Sequence, residues 1–419
     1  MIAALPIHRL SLDRAPSPEA LLATLADRNR PVLASFAEHV IVACDPVEVV
    51  TGADIWDAVA IACAQRSQGP EAAAGGWIGF LGYDLGGTIE RLPQPHSDPG
   101  GPPLAGLGRY ETVAIFDPYG GCTLAGTRSA SALHELAGLA AQAGEPGPGV
   151  PSSGDVTTSL DAAAYRDRVE RTRELIRSGD CYQVNLTQRL SAPWSGTAIE
   201  FATRLWAASG PSSHRAYVGM PEGVVVSASP ECLVRVSDGV AESEPIKGTA
   251  PLGEWERLSA SAKDRAEHVM IVDLVRNDLG RFARPGGVSV PRLFEYLSTP
   301  YVEHMVSEVR AELRPDVTAA DVLRAVFPGG SVTGTPKVRA MEVIRELEPV
   351  ARGAAFGSVV TVGTDGAIEA SITIRTAWVA GGEVRYWCGG AIVWDSDPDA
   401  ELAEAWAKAQ PFVHAVGAA

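Results

Sequence analysis

Short apolar runs closed by turn sequences constrain this chain more than any other feature of its sequence. The runs at 223–230, 232–236 and 239–248 follow one another with hardly any chain between them, and those at 371–379 and 384–393 form a similar pair. Connections this short join antiparallel strands, because a parallel pair needs a crossover of about a dozen residues or more. The pattern therefore predicts an α+β fold rather than a parallel, doubly wound sheet.

A stretch rich in Gly, Pro and Ser, at 141–159, has no apolar periodicity and is typical of a linker. It predicts an N-terminal region, 1–150, that packs on the core, and a larger region, 151–419. An amphipathic helix follows, with Ser159 as a cap and Gly179 as a stop signal. Further helices are predicted at 261–282, 318–326, 336–347 and 400–410.

The charge balance and the apolar segments exclude several classes of function. The chain has 35 basic and 51 acidic residues, a formal charge of −16, which argues against binding to nucleic acid or to an anionic membrane surface. No stretch approaches the ~20 apolar residues of a membrane span, and the first residues do not resemble a signal peptide. We therefore expect a cytoplasmic protein. Its six cysteines lie far apart, so neither a zinc site nor a disulfide framework is indicated.

Two acidic pairs stand at helical spacing. Asp264 and Glu267 lie near the start of one predicted helix, and Glu401 and Glu404 lie in the last one. Each pair places two carboxylates on one helix face. Such a face is often simply solvated, but two of them across a cleft would supply the oxygen ligands that Mg²⁺ prefers. The spacing does not decide between these alternatives.

Two glycine-rich segments are candidates for ligand contact. One precedes the helix predicted at Pro336, where free backbone N–H groups would suit an anion. A phosphate-binding loop needs Lys directly after its last Gly, whereas Gly334 is followed by Thr335, so nucleotide binding is only weakly indicated. The second segment contains Gly389 and Gly390, which either let a ligand approach the backbone or mark a strand bend.

Five single residues each have an ordinary structural explanation and a functional one. Lys247 is a solvated strand lysine or a reactive amine, and Glu231 is a turn carboxylate or a proton donor. Arg375 is exposed or binds a substrate carboxylate, and His304 is a core histidine or a ligand contact. Gln183 is an inward-pointing amide or part of a binding site. Local sequence leaves each of these alternatives open.

Eight motifs, taken in order, resemble the chorismate-utilising enzymes over about residues 155–412. The motifs are GDCYQVNL, SASPE, PIKGT, DRAEHVMIVDLVRNDLGR, FPGGSVTGTPKVRAMEVI, SITIRT, CGGAIVWDSDP and AELAEAWAKA. The resemblance implies two large, mostly antiparallel sheets packed in a sandwich, with helices outside. It also implies an enzyme that acts on chorismate.

Within that family the PIKGT motif resembles the branch that forms aminodeoxychorismate, which is thought to use the lysine at Lys247 as a nucleophile on C2 of chorismate. Anthranilate synthases typically have alanine there. Gln183 stands where the isochorismate and salicylate branches have a lysine that activates water. The resemblance therefore implies ammonia as the incoming group. A separate glutaminase subunit would supply it, because no cysteine here lies in a Gly-x-Cys-x-Gly elbow.

The resemblance also implies roles for the other candidates. Glu231 matches the acid that protonates the departing C4 hydroxyl, while Glu267 and Glu404 match direct Mg²⁺ ligands with Asp264 and Glu401 as second, water-linked acids. The substrate-binding positions would be Gln183, Gly248, Thr249, His304, Ser331, Phe356, Arg375, Gly389, Gly390 and Lys408.

The sequence departs from the family pattern in places. Phe356 replaces a tyrosine of the family, and Glu369-Ala370 replaces Asp-Thr. We expect these departures to affect the affinity for substrate rather than the class of reaction. An anthranilate-forming synthase remains an alternative function. A non-catalytic chorismate-binding regulatory subunit is an alternative of another class.

Overall fold

The computed structural model describes residues 7–36, 38–64, 75–127, 129–147, 149, 154–298 and 302–418. Its strands are β1 His8–Ser11, β2 Val32–Phe36, β3 His39–Ala43, β4 Glu48–Thr51, β5 Gly76–Leu81, β6 Ala105–Tyr110, β7 Thr112–Phe116, β8 Cys122–Gly126, β9 Thr157–Thr158, β10 Gln183–Pro193, β11 His214–Met220, β12 Gly223–Ser229, β13 Cys232–Ser237, β14 Val240–Ser243, β15 Ile246–Pro251, β16 Ala283–Ser298, β17 Val302–Leu313, β18 Gly334–Thr335, β19 Ser358–Gly363, β20 Ile368–Ser371, β21 Thr376–Ala380 and β22 Glu383–Ile392. Its helices are α1 Pro18–Leu25, α2 Ile55–Ala64, α3 Ala130–Ala141, α4 Ala162–Arg177, α5 Ala198–Ser209, α6 Trp255–Ala260, α7 Ala262–Gly280, α8 Ala319–Val326, α9 Lys337–Leu347 and α10 Pro398–Val416.

The strands form two large antiparallel sheets. The first has the order β1-β8-β7-β3-β2-β11-β12-β21-β22-β10-β18, with β9 also paired to β10. The second has the order β15-β17-β14-β13-β20-β19-β5-β6-β4, with β16 also paired to β17. The predicted α+β class and the two antiparallel sheets with packed helices are confirmed.

Strands from the two sides of residue 150 pair with each other in both sheets. In the first sheet β2 pairs with β11, so that Leu33 lies opposite Tyr217. In the second sheet β5 pairs with β19, and Phe80 lies opposite Val359. Each sheet is thus completed by strands that are distant in sequence.

Apolar side chains from both sheets and most helices form one main core. It includes Val184 and Leu186 of β10, Val234 of β13 and Phe412 of α10. A second, much smaller cluster consists of Ala250, Leu258 and Met305, with Trp255 and Phe294 packed against it. This cluster lies where β15, α6 and β17 meet.

The predicted helices are confirmed, with small shifts at their ends. The helix predicted at 261–282 is α7, and Ser261 caps it by accepting a hydrogen bond from the Asp264 N–H at 3.2 Å. The helix after the linker begins slightly later than expected. Its N-cap is Asp161 rather than Ser159, and Asp161 accepts a hydrogen bond from the Ala164 N–H at 2.7 Å. None of the helices in the described ranges is long and apolar enough to span a membrane.

The single strand expected at 371–379 is wrong. Its first residue ends β20 in the second sheet, and Thr376 begins β21 in the first sheet. Residues 372–375 carry the chain from one sheet to the other. Arg375 has a φ of 50°, a left-handed conformation that ends the extended backbone at this crossing.

Candidate active site

Lys247 lies at an irregularity of β15. It pairs with Met305 of β17, whereas Thr249 already pairs with His304, so Gly248 is an extra residue in the ladder. Gly248 has a φ of 79°, and a Cβ there would lie 3.0 Å from Leu258 Cδ1. A glycine is therefore needed to make this bulge. Gly248 is the bulge of the strand, not a turn that ends it.

Lys247 is half-buried as a residue, and its amine is withdrawn from solvent among charged groups. Burial lowers the pKa of Lys247, and Glu231 opposes this shift as the next largest influence. Lys408 also lowers this pKa, while Glu267 and Glu404 raise it. The amine therefore lies within electrostatic reach of the candidate acid and of both acidic helices.

Glu231 is the buried carboxyl group beside that amine. It precedes β13, is only 7% exposed, and accepts a hydrogen bond from the Ser331 hydroxyl at 2.8 Å. Its backbone is also held, because the Ile372 N–H donates to its carbonyl at 3.0 Å. Burial raises the pKa of Glu231, and the Lys247 charge and the Ser331 hydrogen bond only partly offset this. A raised pKa suits a proton donor.

A small cavity of about 30 Å³ reaches Glu231 from the side of α7. Its lining includes Glu231 and Ser331 together with Ile271 and Val275 of α7 and Ile372 of the sheet crossing. The Gly-rich segment before α9 thus contributes Ser331 to the site through a short helical turn, Gly330–Val332. The carboxyl group lies at the boundary between this apolar space and the charged cluster.

The acidic face of α10 lies directly over a glycine of β22. A Cβ on Gly390 would be 3.2 Å from Glu401 Oε2, 3.6 Å from Glu404 Oε1 and 3.6 Å from Lys408 Nζ. Lys408 Nζ donates to the Gly389 carbonyl at 3.2 Å and pairs with Glu404 at 2.6 Å. The register of β10 and β22 continues unbroken through both glycines, so they do not form a bulge.

The four acidic residues occupy two separate pairs. Asp264 and Glu267 lie on α7, and Glu401 and Glu404 lie on α10. Ser396 Oγ donates to Glu401 Oε1 at 2.6 Å. Across the described residues no three His, Cys, Asp or Glu side chains are grouped closely enough to hold a metal ion. The donor chemistry suits Mg²⁺, but a ready-made cluster is not present in this arrangement.

His304 lies opposite the bulge, and Arg375 is near enough to act on its charge. His304 is buried on β17 and forms a hydrogen bond with the Gly248 backbone. Burial lowers the pKa of His304, and the neighbouring Arg375 lowers it further. Arg375 is half-buried, and its own carbonyl accepts from the Ala228 N–H at 3.1 Å. A cation in this position could receive an anionic ligand group.

The remaining candidates have no described contact with Lys247 or Glu231. Gln183 begins β10 opposite Thr335 and is 2% exposed, and its amide nitrogen has no hydrogen-bond partner among the described residues. Phe356 is buried, and its ring lies 4.8 Å from the guanidinium carbon of Arg352 rather than in the charged cluster. The side chain of Thr249 lies outside the described part of the structure.

Two residues beneath Lys247 were not among the sequence candidates. His268 of α7 is fully buried and contacts the Lys247 carbonyl through Nδ1 at 3.3 Å. Its Nε2 lies 2.6 Å from Ser307 Oγ. In the sequence His268 follows Glu267 directly, but neither residue is part of a pattern that predicts a contact with β15.

Comparison with known proteins agrees with this geometry. A family model described as chorismate binding enzyme matches residues 18–414. Aminodeoxychorismate synthase component 1 of Salmonella typhimurium is 38% identical over 349 residues, which are 81% of this chain and 76% of that protein. Anthranilate synthase component 1 of Streptomyces coelicolor is 34% identical over 98% of this chain and 88% of that protein.

A solved structure gives the same result. The crystal structure of anthranilate synthase component I from Streptococcus pneumoniae superposes with a TM-score of 0.80 at 30% identity and covers 89% of this chain and 92% of that one. The sheets, the buried Glu231 beside Lys247, and the matched sequence all lead to one conclusion. This chain belongs to the family of chorismate binding enzymes.

Proposed function

We propose that this chain is the synthase component that converts chorismate and ammonia to 4-amino-4-deoxychorismate. The observation that carries the proposal is the Lys247 amine, whose pKa is lowered by burial next to Glu231, whose own pKa is raised. A lysine whose pKa is lowered and a carboxyl group whose pKa is raised are suited to the roles of nucleophile and general acid. The similarity to aminodeoxychorismate synthase component 1 of several bacteria, at 38 to 39% identity, supports the same choice.

The proposed reaction divides one exchange into two displacements. In the first, the Lys247 nitrogen bonds to C2, both ring double bonds shift by one position, and the C4–O bond breaks as Glu231 donates a proton, which releases water. In the second, ammonia bonds to C4, both double bonds shift back, and the bond between C2 and Lys247 breaks, which frees the lysine amine. Glu231 then takes a proton from the ammonium group formed at C4. Each step avoids direct displacement of a poor leaving group.

The substrate is a dicarboxylate, so the site must offset two negative charges. Arg375 is the proposed contact for one substrate carboxylate. Ser331, Lys408 and the Gly389–Gly390 backbone are the proposed contacts for the ring and the side chain of chorismate. Gly390 has no side chain, so the polar side chains of α10 lie close over its backbone. Gln183, with its unpartnered buried amide, and the backbone at Gly248 and Thr249 complete the proposed set.

Mg²⁺ is the proposed cofactor. Glu267 and Glu404 would be its direct ligands, with Asp264 and Glu401 as water-linked acids. Hard carboxylate oxygens suit this ion, which when bound would neutralise a substrate carboxylate. Binding would require Glu404 to give up its contact with Lys408. Loss of turnover on adding EDTA, and recovery with excess Mg²⁺, would support this assignment.

A separate glutaminase subunit is the proposed source of ammonia, and the cytoplasm is the proposed location. The relatives named as component 1 support a partner component. The described helices do not include a membrane-spanning one. Without the partner, a high concentration of ammonium should replace it.

The test is conversion of chorismate by the purified chain in ammonium and Mg²⁺, with the product identified by mass spectrometry. Lys247→Ala should reduce turnover by orders of magnitude, and Lys247→Arg, which keeps the charge but is a poor nucleophile, should do the same. Thermal unfolding verifies that both variants fold. Full activity in Lys247→Arg would exclude the nucleophile role. Release of anthranilate would establish the alternative synthase, and no loss of chorismate would favour a binding subunit.

A further inference from the structure

Two irregular positions of the second sheet lie on either side of His268. On β15 the register shifts at Gly248, and on β16 Arg292 pairs with Glu308 whereas Glu295 pairs with Val306, so two residues lie opposite Ser307. Each bulge redirects a backbone polar group out of the regular ladder.

A continuous chain of hydrogen bonds joins the two bulges. The Phe294 N–H donates to Ser307 Oγ at 3.0 Å, Ser307 Oγ lies 2.6 Å from His268 Nε2, and His268 Nδ1 lies 3.3 Å from the Lys247 carbonyl. His268 and Ser307 are 0% and 1% exposed, so water does not compete for these bonds. The His268 ring also lies 5.5 Å from the Phe294 ring, which limits its rotation.

The backbone groups at the two ends of this series of hydrogen bonds determine which atom donates in each bond. A backbone N–H can only donate and a backbone carbonyl can only accept. His268 Nδ1 carries the proton, because the Lys247 carbonyl can only accept. In a neutral ring Nε2 then accepts from the Ser307 hydroxyl, which itself accepts from the Phe294 N–H. A neutral ring in this tautomer satisfies every group in the chain.

We infer that His268 is a positioning residue for Lys247: it holds the β15 bulge from below, so that the lysine side chain is directed towards Glu231. This inference rests on the proposed function, because it assigns Lys247 the nucleophile's role. His304 forms a hydrogen bond with the Gly248 backbone, so the bulge is held at two successive residues by two histidines from different elements. A misplacement of about 1 Å at a reacting group can reduce turnover by about 10²-fold.

Two amide variants separate the two ring nitrogens. In His268→Asn the side-chain amide occupies the place of Nδ1 and keeps the bond to the Lys247 carbonyl. In His268→Gln the amide occupies the place of Nε2 and keeps the bond to Ser307. We expect turnover with ammonium to stay within about threefold of wild type in the Asn variant and to fall by about 10²-fold in the Gln variant, with KM for chorismate little changed.

A second measurement does not need chorismate turnover. Pyridoxal 5′-phosphate followed by borohydride labels reactive lysine amines, and peptide mass spectrometry gives the labelling rate of Lys247 alone. This rate should be unchanged in His268→Asn and altered in His268→Gln. If the wild-type chain makes no aminodeoxychorismate, the proposed function fails, while the labelling rates still test the positioning role.

A third measurement reads the tautomer in the wild-type chain and needs the His268→Asn variant only to assign the signal. In ¹⁵N-histidine spectra one histidine should be neutral with its proton on Nδ1, and that signal should disappear in His268→Asn. A proton on Nε2, or equal losses of turnover and labelling in the Asn and Gln variants, would overturn the inference.

Discussion

The two sides of the candidate site are supported in different ways. Glu231 adjoins β13 and the 372–375 crossing, where Leu233, Val234 and Ile372 belong to the main core. The residues around Lys247 instead pack on the small cluster of Ala250, Leu258 and Met305. We call this second region the Lys247 lobe; it comprises residues 246–270, 290–298 and 302–307.

The surfaces of the two regions differ as well. Several large apolar side chains of the Lys247 lobe are more than 40% exposed, namely Leu252, Val269, Leu293, Tyr296 and Leu297. α10, on the other side, buries Leu402, Ala405, Ala409 and Phe412. Few buried apolar contacts mean a low free energy of local opening. The acid is therefore fixed by packing, whereas the lysine depends on a few polar contacts.

The largest effect of a single substitution is expected on the well-packed side of the site. Glu231→Gln keeps the shape and the hydrogen bond to Ser331 but cannot donate the proton, so turnover should fall by about 10²- to 10⁴-fold. Its melting temperature should stay close to that of the wild type, because no packing is lost. Steady-state kinetics and calorimetry check the two expectations. Near-normal turnover would remove Glu231 from the reaction.

A matched pair of methionine substitutions tests the comparison directly. Met305 in the Lys247 lobe and Met341 in the main core are both 0% exposed. Met→Ala at a buried position costs about 2–5 kcal/mol. Met341→Ala should lower the free energy of global unfolding by that amount. Met305→Ala should mainly speed hydrogen exchange within the Lys247 lobe and reduce turnover.

Denaturant titration and hydrogen-exchange mass spectrometry provide the two measurements. If Met305→Ala destabilises the whole chain as much as Met341→Ala does, and leaves exchange in the lobe no faster than elsewhere, the two regions unfold as one unit. The comparison would then be wrong.

The sequence predicted regular elements better than their irregularities. The helices at 261–282 and 400–410 follow from periodicity and caps, which are local properties. The bulge at Gly248 and the crossing at 372–375 depend on pairing with distant strands, so local patterns could not predict them. The spacing of residues along the sequence did not predict that Lys247 and Glu231 share one site. Only the resemblance to the family implied this.

A smaller effect is expected under the acidic face of α10. Gly390→Ala would place a Cβ 3.2 Å from Glu401 Oε2 and within 3.6 Å of Glu404 and Lys408, all side-chain atoms that can shift. We expect KM for chorismate to rise by about tenfold, equivalent to about 1.4 kcal/mol, with the fold intact. Gly389→Ala is the contrast, because its Cβ would lie 2.0 Å from the Leu186 carbonyl oxygen and should disrupt the sheet itself. Equal loss of stability in both variants would contradict this assignment.

The smallest expected effect concerns the stability of the Lys247 lobe and its dependence on pH. Burial lowers the pKa of Lys247 in the folded chain, so the folded state binds fewer protons than the unfolded state at any pH between this lowered value and the ordinary lysine pKa of about 10.4. Stability therefore rises with pH through that window, and the buried amine is destabilising below it.

Lys247→Met removes this penalty. Its melting temperature should exceed that of the wild type by a few degrees at neutral pH, and the difference should shrink as the pH approaches about 10. Lys408→Met is the control for loss of a lysine whose side chain is half exposed. A Lys247→Met gain that is constant with pH would mean that better apolar packing, not the loss of a buried amine, stabilises the variant. Lys247 would then respond to substitution in the same way as a residue of the main core.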